Sequence, residues 1–424
     1  MTRRRARTGT AGLVSAVLVL ALAGALAPAR ARAADPPCPA STVASAEIVI
    51  EVSSGAVACA RNADQRRAIA STTKLMTALL TLERAKLSDT FRAARYFPSP
   101  AESQIGLRPG ERMTVRDLMR GLLVESANDA AVTLAEGVAG SRRAFVRAMN
   151  RRAVDLDLRN THYANPIGLD QAGNFSSARD LVHLAVFLRT KPFFRHTVDL
   201  PEVTLTSGDH RRTFDNRNDL VRRYSWVNGV KSGHTQHAGY VLVGSGRDRR
   251  GIQLVSAVLG TPSVAARDAA TLGLLRWGFT RFQRIAAVKR GAVLARVPIR
   301  FRRGAELPLV AGRTVRRVVA RGHRGDVTHR VVGEPADVTG PVTAGRPFGA
   351  VEVLQAGRVV ARVPLVAASS VPGADFGQKA KSWFTGPLPI LLLFALLAGT
   401  VLGGRQLRRI VRDGRRAGEE PRAA

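Results

Sequence analysis

The chain has 424 residues, with 65 Lys and Arg against 32 Asp and Glu; its formal net charge is +33, and 45% of its residues are hydrophobic. These values exclude a disordered polyampholyte, a collagen-like repeat and a polytopic membrane protein, and the length leaves room for two globular units plus additions. Only seven lysines contribute to the charge, so a coding bias toward arginine accounts for it as readily as a polyanionic partner does. No basic helix interleaved with aromatics and no finger spacing supports nucleic acid.

Residues 1–33 read as an export signal. Arg3, Arg4, Arg5 and Arg7 form a basic start, residues 11–26 are apolar, and Ala31-Arg32-Ala33 supplies the small residues of a cleavage site, so the mature chain is expected to begin at Ala34. A retained N-terminal membrane helix is the alternative. Cys38 and Cys59, the only cysteines, both lie in the exported part and are expected to bridge in an oxidising compartment. Residues 47–52 and 56–60 read as strands around the turn Ser53-Ser54-Gly55. Residues 72–85 read as a buried helix carrying Leu75, Leu79, Leu80 and Leu82.

Several helices follow between residues 114 and 188, one opening at Ser177 with Asp180 three positions on, an approximate capping box. Residues 240–244 and 252–259 are apolar strands, and residues 265–277 form a closing helix. Strands, many helices, strands and a helix in that order predict an α/β sandwich on an antiparallel sheet with a helical insert, over residues 34–283. Val-rich runs alternating with Gly, Pro and Arg then predict a small all-β domain over 284–367 and a linker over 368–385. Residues 386–404 carry no charge and suffice to cross a bilayer. Arg405, Arg408, Arg409, Arg412, Arg415 and Arg416 follow at once, which places the tail, 405–424, in the cytoplasm and the bulk of the chain outside.

Three short motifs carry the chemistry. Ser71-Thr72-Thr73-Lys74 sets a hydroxyl and an amine one helical turn apart on one face. A serine needs an adjacent base to become nucleophilic, and a lysine serves only where burial or a second cation lowers its pKa. Lys231 is the candidate second cation. Such a Ser-x-x-Lys spacing arises ~0.4 times by chance in a chain of this composition and is weak alone. Ser126-Ala127-Asn128 is weaker still, with a helix cap as the bland alternative. Lys231-Ser232-Gly233-His234-Thr235 combines a glycine that admits substrate against a strand with a lysine and two hydroxyls able to hold a carboxylate. His234 and His237 have ligand-like spacing, but no third histidine or acid joins them, and no metal or other cofactor is expected.

In order and spacing the three match the Ser-x-x-Lys, Ser-x-Asn and Lys-Thr-Gly signature of penicillin-binding proteins and β-lactamases. With the flanking Asn165-Pro-Ile-Gly-Leu-Asp170, Ser176-Ser-Ala-Arg-Asp180 and Gln236-His-Ala-Gly239, the sequence resembles the serine-type D-alanyl-D-alanine carboxypeptidases, the low-molecular-mass penicillin-binding proteins, over about residues 46–366. The resemblance implies a β-lactamase/transpeptidase-like sandwich, an antiparallel sheet with a helical subdomain, followed by a small all-β domain. It implies Ser71 as nucleophile, Lys74 as its base, Ser126 as proton relay and Asn128 as ligand of the substrate amide. Lys231, Ser232 and Thr235 would orient the terminal carboxylate, Gly233 would let substrate approach, and the N–H groups of Ser71 and His234 would form an oxyanion hole. Arg267, ten residues before Trp277, falls where the family places a carboxylate-binding arginine.

The implied partners are peptidoglycan stem peptides and, as covalent inhibitors, β-lactams; the membrane is contacted through the C-terminal helix, and nucleic acid is not a partner. Two departures stand out: Ser232 replaces the usual threonine, losing a methyl, and the chain ends in a spanning helix where many relatives have an amphipathic one. A class A β-lactamase would need a Glu-x-x-Leu-Asn loop between Ser126 and Lys231, which is absent. A catalytically silent wall-binding protein is opposed by the filled nucleophile, base and lysine positions. Endopeptidase or transpeptidase action on cross-links shares the same acyl-enzyme and stays open.

Overall fold

The computed structural model describes residues 35–39, 43–384 and 387–416; the expected export signal and cleavage site, residues 1–33, lie outside them. At the centre is a five-stranded antiparallel sheet. Its strands are β1 (Ala46–Glu51), β2 (Val57–Arg61), β3 (Val227–Thr235), β4 (Gly239–Arg247) and β5 (Gln253–Thr261), in the spatial order β2-β1-β5-β4-β3. Chain order and spatial order differ because the polypeptide leaves after β2, builds a helical subdomain, and returns to complete the sheet. The strand β3 therefore forms an edge, one side of its backbone unpaired within the sheet.

The strands at the centre of the sheet are buried on both faces and largely apolar. Every residue of β1 is buried, as are Leu254, Val255, Ala257, Val258 and Leu259 of β5. One face packs on the helices Lys74–Arg84 and Ala178–Arg189, the other on Val264–Arg281. A run of apolar residues without alternation is what a doubly covered sheet requires. The helix from Lys74 buries Leu75, Met76, Ala78, Leu79 and Leu80 completely, so it is a core element whose register is fixed all round. Its first turn, Ala70–Thr73, is a 3-10 turn with no side-chain cap. The remaining helices of the subdomain are Val115–Arg120, Asn128–Ala139 and Arg142–Asp155.

At Ser177 half of the expected capping box forms. The Ser177 hydroxyl accepts the Asp180 N–H at 3.1 Å, but the Asp180 carboxylate takes the Asn160 N–H and the Thr161 hydroxyl instead. Cys38 and Cys59 are joined by a disulfide, which with the Ala60 N–H to Pro36 carbonyl bond ties the N-terminal segment to β2.

A second body follows. The strand Phe282–Val288 pairs with Val315–Ala320, and a five-stranded antiparallel sheet is built from Val293–Pro298, Glu306–Ala311, Val327–Val332, Pro347–Gln355 and Arg358–Ala367. Its core is a separate cluster that includes Val297, Leu307, Leu309, Val351, Val353, Val363 and Leu365. The segment expected as a linker contains the helix Phe376–Phe384, begun by Asp375, whose carboxylate accepts the Gln378 N–H. The apolar run expected over 386–404 belongs to a longer helix, Pro387–Arg416, which continues through the arginines because nothing in Gly404–Arg412 terminates the backbone hydrogen bonding. Among the described residues it is the one helix long and apolar enough to cross a membrane.

Candidate active site

The three motifs arrive from three parts of the fold. Ser71 sits in the 3-10 turn ahead of the buried helix, one turn before Lys74. Ser126 ends a π-helical turn, Gly121–Glu125, in the left-handed conformation, φ +69°, an arrangement that turns its side chain out of the helical path. Asn128 follows at the start of the next helix. Lys231 to Thr235 lie within the edge strand β3 itself, a strand that the sequence does not announce because the motif lacks apolar alternation. Ser71, Ser126, Asn128, Ser232, Gly233, His234, Thr235 and Arg267 all line one cleft of about 360 Å³.

Lys74 is fully buried beneath this cleft. Its Nζ lies 2.8 Å from Ser71 Oγ and donates to the Ile167 carbonyl at 2.7 Å. Burial, and then the nearby charge of Lys231, holds its pKa well below the ordinary lysine value, against smaller opposing contributions from Glu102 and Asp129. Burial removes water that would solvate the ammonium, and a second cation adds repulsion, so the neutral amine is favoured. Lys231 is likewise buried, pushed down to about 7 by burial, with Glu125 opposing and Arg217 and Arg267 reinforcing the shift. Its Nζ donates to the Ser232 carbonyl at 2.9 Å, placing the charge just under the strand rather than on the cleft surface.

Close approach explains the glycines. A Cβ on Gly233 would stand 2.7 Å from the Ser71 nitrogen, so β3 can lie against the nucleophile turn only with hydrogen at this position. Gly168, at φ +92°, would place a Cβ 2.0 Å from the Ala70 carbonyl oxygen. The segment Asn165–Asp170 is thereby pressed onto the nucleophile turn: the Ile167 carbonyl receives Lys74, the Pro166 carbonyl receives Thr77, and Asp170 receives the Thr235 hydroxyl at 2.6 Å. His234 stacks on Tyr240 with ring centroids 4.0 Å apart, which holds the end of the strand in place.

Several residues of the site were not legible as motifs. Glu102 accepts from Asn128 Nδ2 at 2.6 Å and from Tyr96; burial alone would raise its carboxyl, but hydrogen bonds from Tyr96, Asn128 and Ser99 outweigh this and hold it below the ordinary range. Asp129 accepts the Ile105 and Leu107 N–H groups and so fixes the loop that brings Glu102 to the cleft. Arg217 pairs with Glu125 and offers its carbonyl to the Ser232 hydroxyl at 3.3 Å. Arg267 lines the cleft while bonded to its neighbour Asp268 at 2.8 Å. Only Glu125 had a signal, as the residue directly before the Ser126 motif. Asn165–Asp170 stands out in the sequence as a segment, but its part in holding Lys74 is visible only in the fold. Among the described residues no group of three or more His, Cys, Asp or Glu is placed to hold a metal ion.

Residues 31–263 match the family described as D-alanyl-D-alanine carboxypeptidase, and residues 282–373 match the penicillin-binding protein 5 C-terminal domain. The chain is 32% identical over 349 residues to the D-alanyl-D-alanine carboxypeptidase DacA of Escherichia coli, covering 78% of this chain and 84% of that one. It is 30% identical over 339 residues to DacF of Bacillus subtilis, covering 78% and 87%. Among solved structures it resembles penicillin-binding protein 5 of Haemophilus influenzae, with a TM-score of 0.57 and 28% identity over 79% of this chain and 99% of that one. The Streptomyces K15 DD-transpeptidase matches with a TM-score of 0.54 and 29% identity over 58% of this chain and 99% of that one. Buried lysine, poised serine, edge strand and appended β domain thus coincide with these matches, and the chain belongs to the serine D-alanyl-D-alanine carboxypeptidase family, the hydrolases of peptidoglycan metabolism.

Proposed function

We propose that this carboxypeptidase removes the terminal D-alanine of peptidoglycan stem pentapeptides through an acyl-enzyme on Ser71. The observation that carries this reading is the 2.8 Å contact between Ser71 Oγ and the Nζ of Lys74, a lysine whose burial favours its neutral form. Lys74 takes the Ser71 proton as Oγ attacks the carbonyl between the two D-alanines. The N–H groups of Ser71 and His234 hold the oxyanion; Gly233 makes this pairing possible by letting β3 approach Ser71. The carbon–nitrogen bond then breaks, and Ser126 passes the proton to the departing amine. Water hydrolyses the Ser71 ester and restores the hydroxyl.

The substrate backbone adds to the unpaired edge of β3. Asn128, oriented by Glu102, receives its amide. The terminal carboxylate lies against the Ser232 and Thr235 hydroxyls, over the charge of Lys231, with Arg267 at the same end of the cleft. A β-lactam enters the same site, but its leaving amine stays tethered to the acyl group, so the ester persists.

Domain bounds of 34–283 for the peptidase and 284–367 for the β domain suit this reading. So does a topology in which residues 386–404 span the membrane, the arginine-rich tail is cytoplasmic, and the catalytic domain is extracytoplasmic. The exposed apolar side chains of Leu391, Leu393, Phe394 and Leu396 support the span. The test is D-alanine release from a D-Ala-D-Ala-ended pentapeptide by the full chain without added metal. Release that disappears in Ser71→Ala supports the proposal. Release that persists in Ser71→Ala contradicts it, and transfer of the acyl group to an added amine in preference to water replaces hydrolysis with transpeptidation.

A further inference from the structure

Away from the cleft, at the other end of β3, a separate cavity of about 820 Å³ opens between the helix Ala178–Arg189, the helix Pro192–Val198 and the strand ends at Asn228 and Arg247. None of its lining residues lines the cleft. Three arginines, Arg189, Arg195 and Arg247, come to it from three different elements. Arg189 is only 8% exposed, and its Nη1 donates to the Asn228 carbonyl at 2.6 Å. Among the described residues no carboxylate lies within ion-pair distance of Arg189, Arg195 or Arg247. Asp199 is the single acid lining the cavity.

A buried guanidinium without a carboxylate partner is costly, and two further guanidiniums beside it deepen the cost. Burial pushes Arg189 down to about 10; Asp199 opposes this and Arg195 and Arg247 add to it. Among the described residues the other buried arginines are paired, Arg179 with Asp35 and Asp64, Arg212 with Glu111, and Arg267 with Asp268. The cavity is the exception, and it is open to solvent through the exposed side chains of Arg195 and Arg247.

We propose that this cavity binds a phosphate group from the cell-surface environment, with Arg189 at its floor and Arg195 and Arg247 closing on it. Three guanidiniums against one carboxylate leave two positive charges. A planar carboxylate offers its oxygens in one plane, whereas a phosphate presents oxygens in several directions and carries up to two charges, which suits forks arriving from separate elements. A free phosphate supplies this in full; a phosphodiester headgroup of an anionic lipid supplies one charge on two non-bridging oxygens, flanked by two ester oxygens, in the same tetrahedral arrangement.

The test is calorimetric titration of the full chain in a zwitterionic detergent with inorganic phosphate, with glycerophosphoglycerol (the phosphatidylglycerol headgroup without acyl chains), and with acetate. Saturable phosphate binding that weakens about tenfold or more in Arg195→Gln/Arg247→Gln, through loss of two charge-assisted contacts, supports the proposal. Both positions are exposed and remote from the cleft, so D-alanine release by this variant stays at the parent rate and reports an intact fold. Glycerophosphoglycerol binding more tightly than inorganic phosphate assigns the site to a lipid headgroup; the reverse order assigns it to free phosphate. Arg189→Gln, in a protein that still releases D-alanine, abolishes binding of both. Acetate binding as tightly as phosphate, no saturable binding, or equal affinity in the double variant overturns the proposal.

Discussion

Beneath the peptidase cleft the two lysines are at most 1% exposed, Lys74 feels the charge of Lys231, and neither is in direct contact with a carboxylate among the described residues. In the C-terminal domain the buried positions include Val297, Leu307, Leu309, Val351 and Val363, and the one buried charge among its described residues, Glu352, is neutralised in direct contact by Arg330 and Arg362, whose side chains are exposed. The contrast separates two uses of charge. Around Ser71 the fold spends packing stability to keep ionisable groups out of water, which shifts their proton affinity toward the working range. In the β domain the buried Glu352 is compensated by two arginines that reach water, so its charge is paired in place and not left to shift. One region is built for proton transfer and the other for holding shape.

Removing the buried base is the sharpest way to break this contrast. Lys74→Met keeps the volume and apolar contacts of the side chain but removes the proton acceptor. Acylation by fluorescent penicillin is expected to slow by about 10²–10⁴-fold, the usual worth of a positioned general base, with thermal stability held or raised. An acylation rate within a few-fold of the parent would dissociate the burial of Lys74 from the reaction.

Backbone proximity comes next. Gly233→Ala drives a methyl into the Ser71 nitrogen, 2.7 Å away, so either β3 or the nucleophile turn must move. A displacement approaching 1 Å costs about 10² in kcat/KM. The same change at Gly325, where nothing lies within 4 Å of the added carbon, is expected to leave activity untouched.

The pH profile of kcat/KM reads the two lysines separately. On the acid side the rate falls as Lys74, depressed by burial and by Lys231, gains its proton and loses base function. On the alkaline side it falls as Lys231, at about 7 in the free enzyme, loses the charge that faces the substrate carboxylate. Lys231→Arg keeps a permanent cation and is expected to move the alkaline limb upward while leaving the acid limb in place. An alkaline limb that does not move assigns it to another group.

The smallest effects on catalysis are expected in the β domain. Leu309→Ala opens a fully buried site and costs about 2–5 kcal/mol in the stability of that domain, while D-alanine release per folded molecule is unchanged. Glu352→Gln, at a buried carboxylate whose two arginine partners reach water, is expected to shift the melting temperature less than Leu309→Ala does, and the shift fades in part with added salt.

The motifs around Ser71, Ser126 and Lys231 were legible because each compresses a local geometry into a few adjacent residues. The buried helix was legible for a different reason: leucines all round its circumference leave no polar face. Glu102 lies 26 positions from Asn128, and Arg217 lies 92 from Glu125, and only the folded chain brings these pairs together. The strand character of Lys231–Thr235 was hidden because its side chains serve a cleft and a lysine burrowed under the strand, not an alternating apolar face. The C-terminal helix runs past Gly404 into its arginines because helical hydrogen bonding does not respond to the end of an apolar stretch, whereas hydropathy does.

The central claim is that Ser71 forms the covalent intermediate. It is tested most directly by peptide mapping of the full chain after incubation with a penicillin, read by mass spectrometry. The account predicts one equivalent of acyl adduct on the peptide that contains Ser71 and none in Ser71→Ala. An adduct on any other residue, or equal labelling of Ser71→Ala, would contradict it.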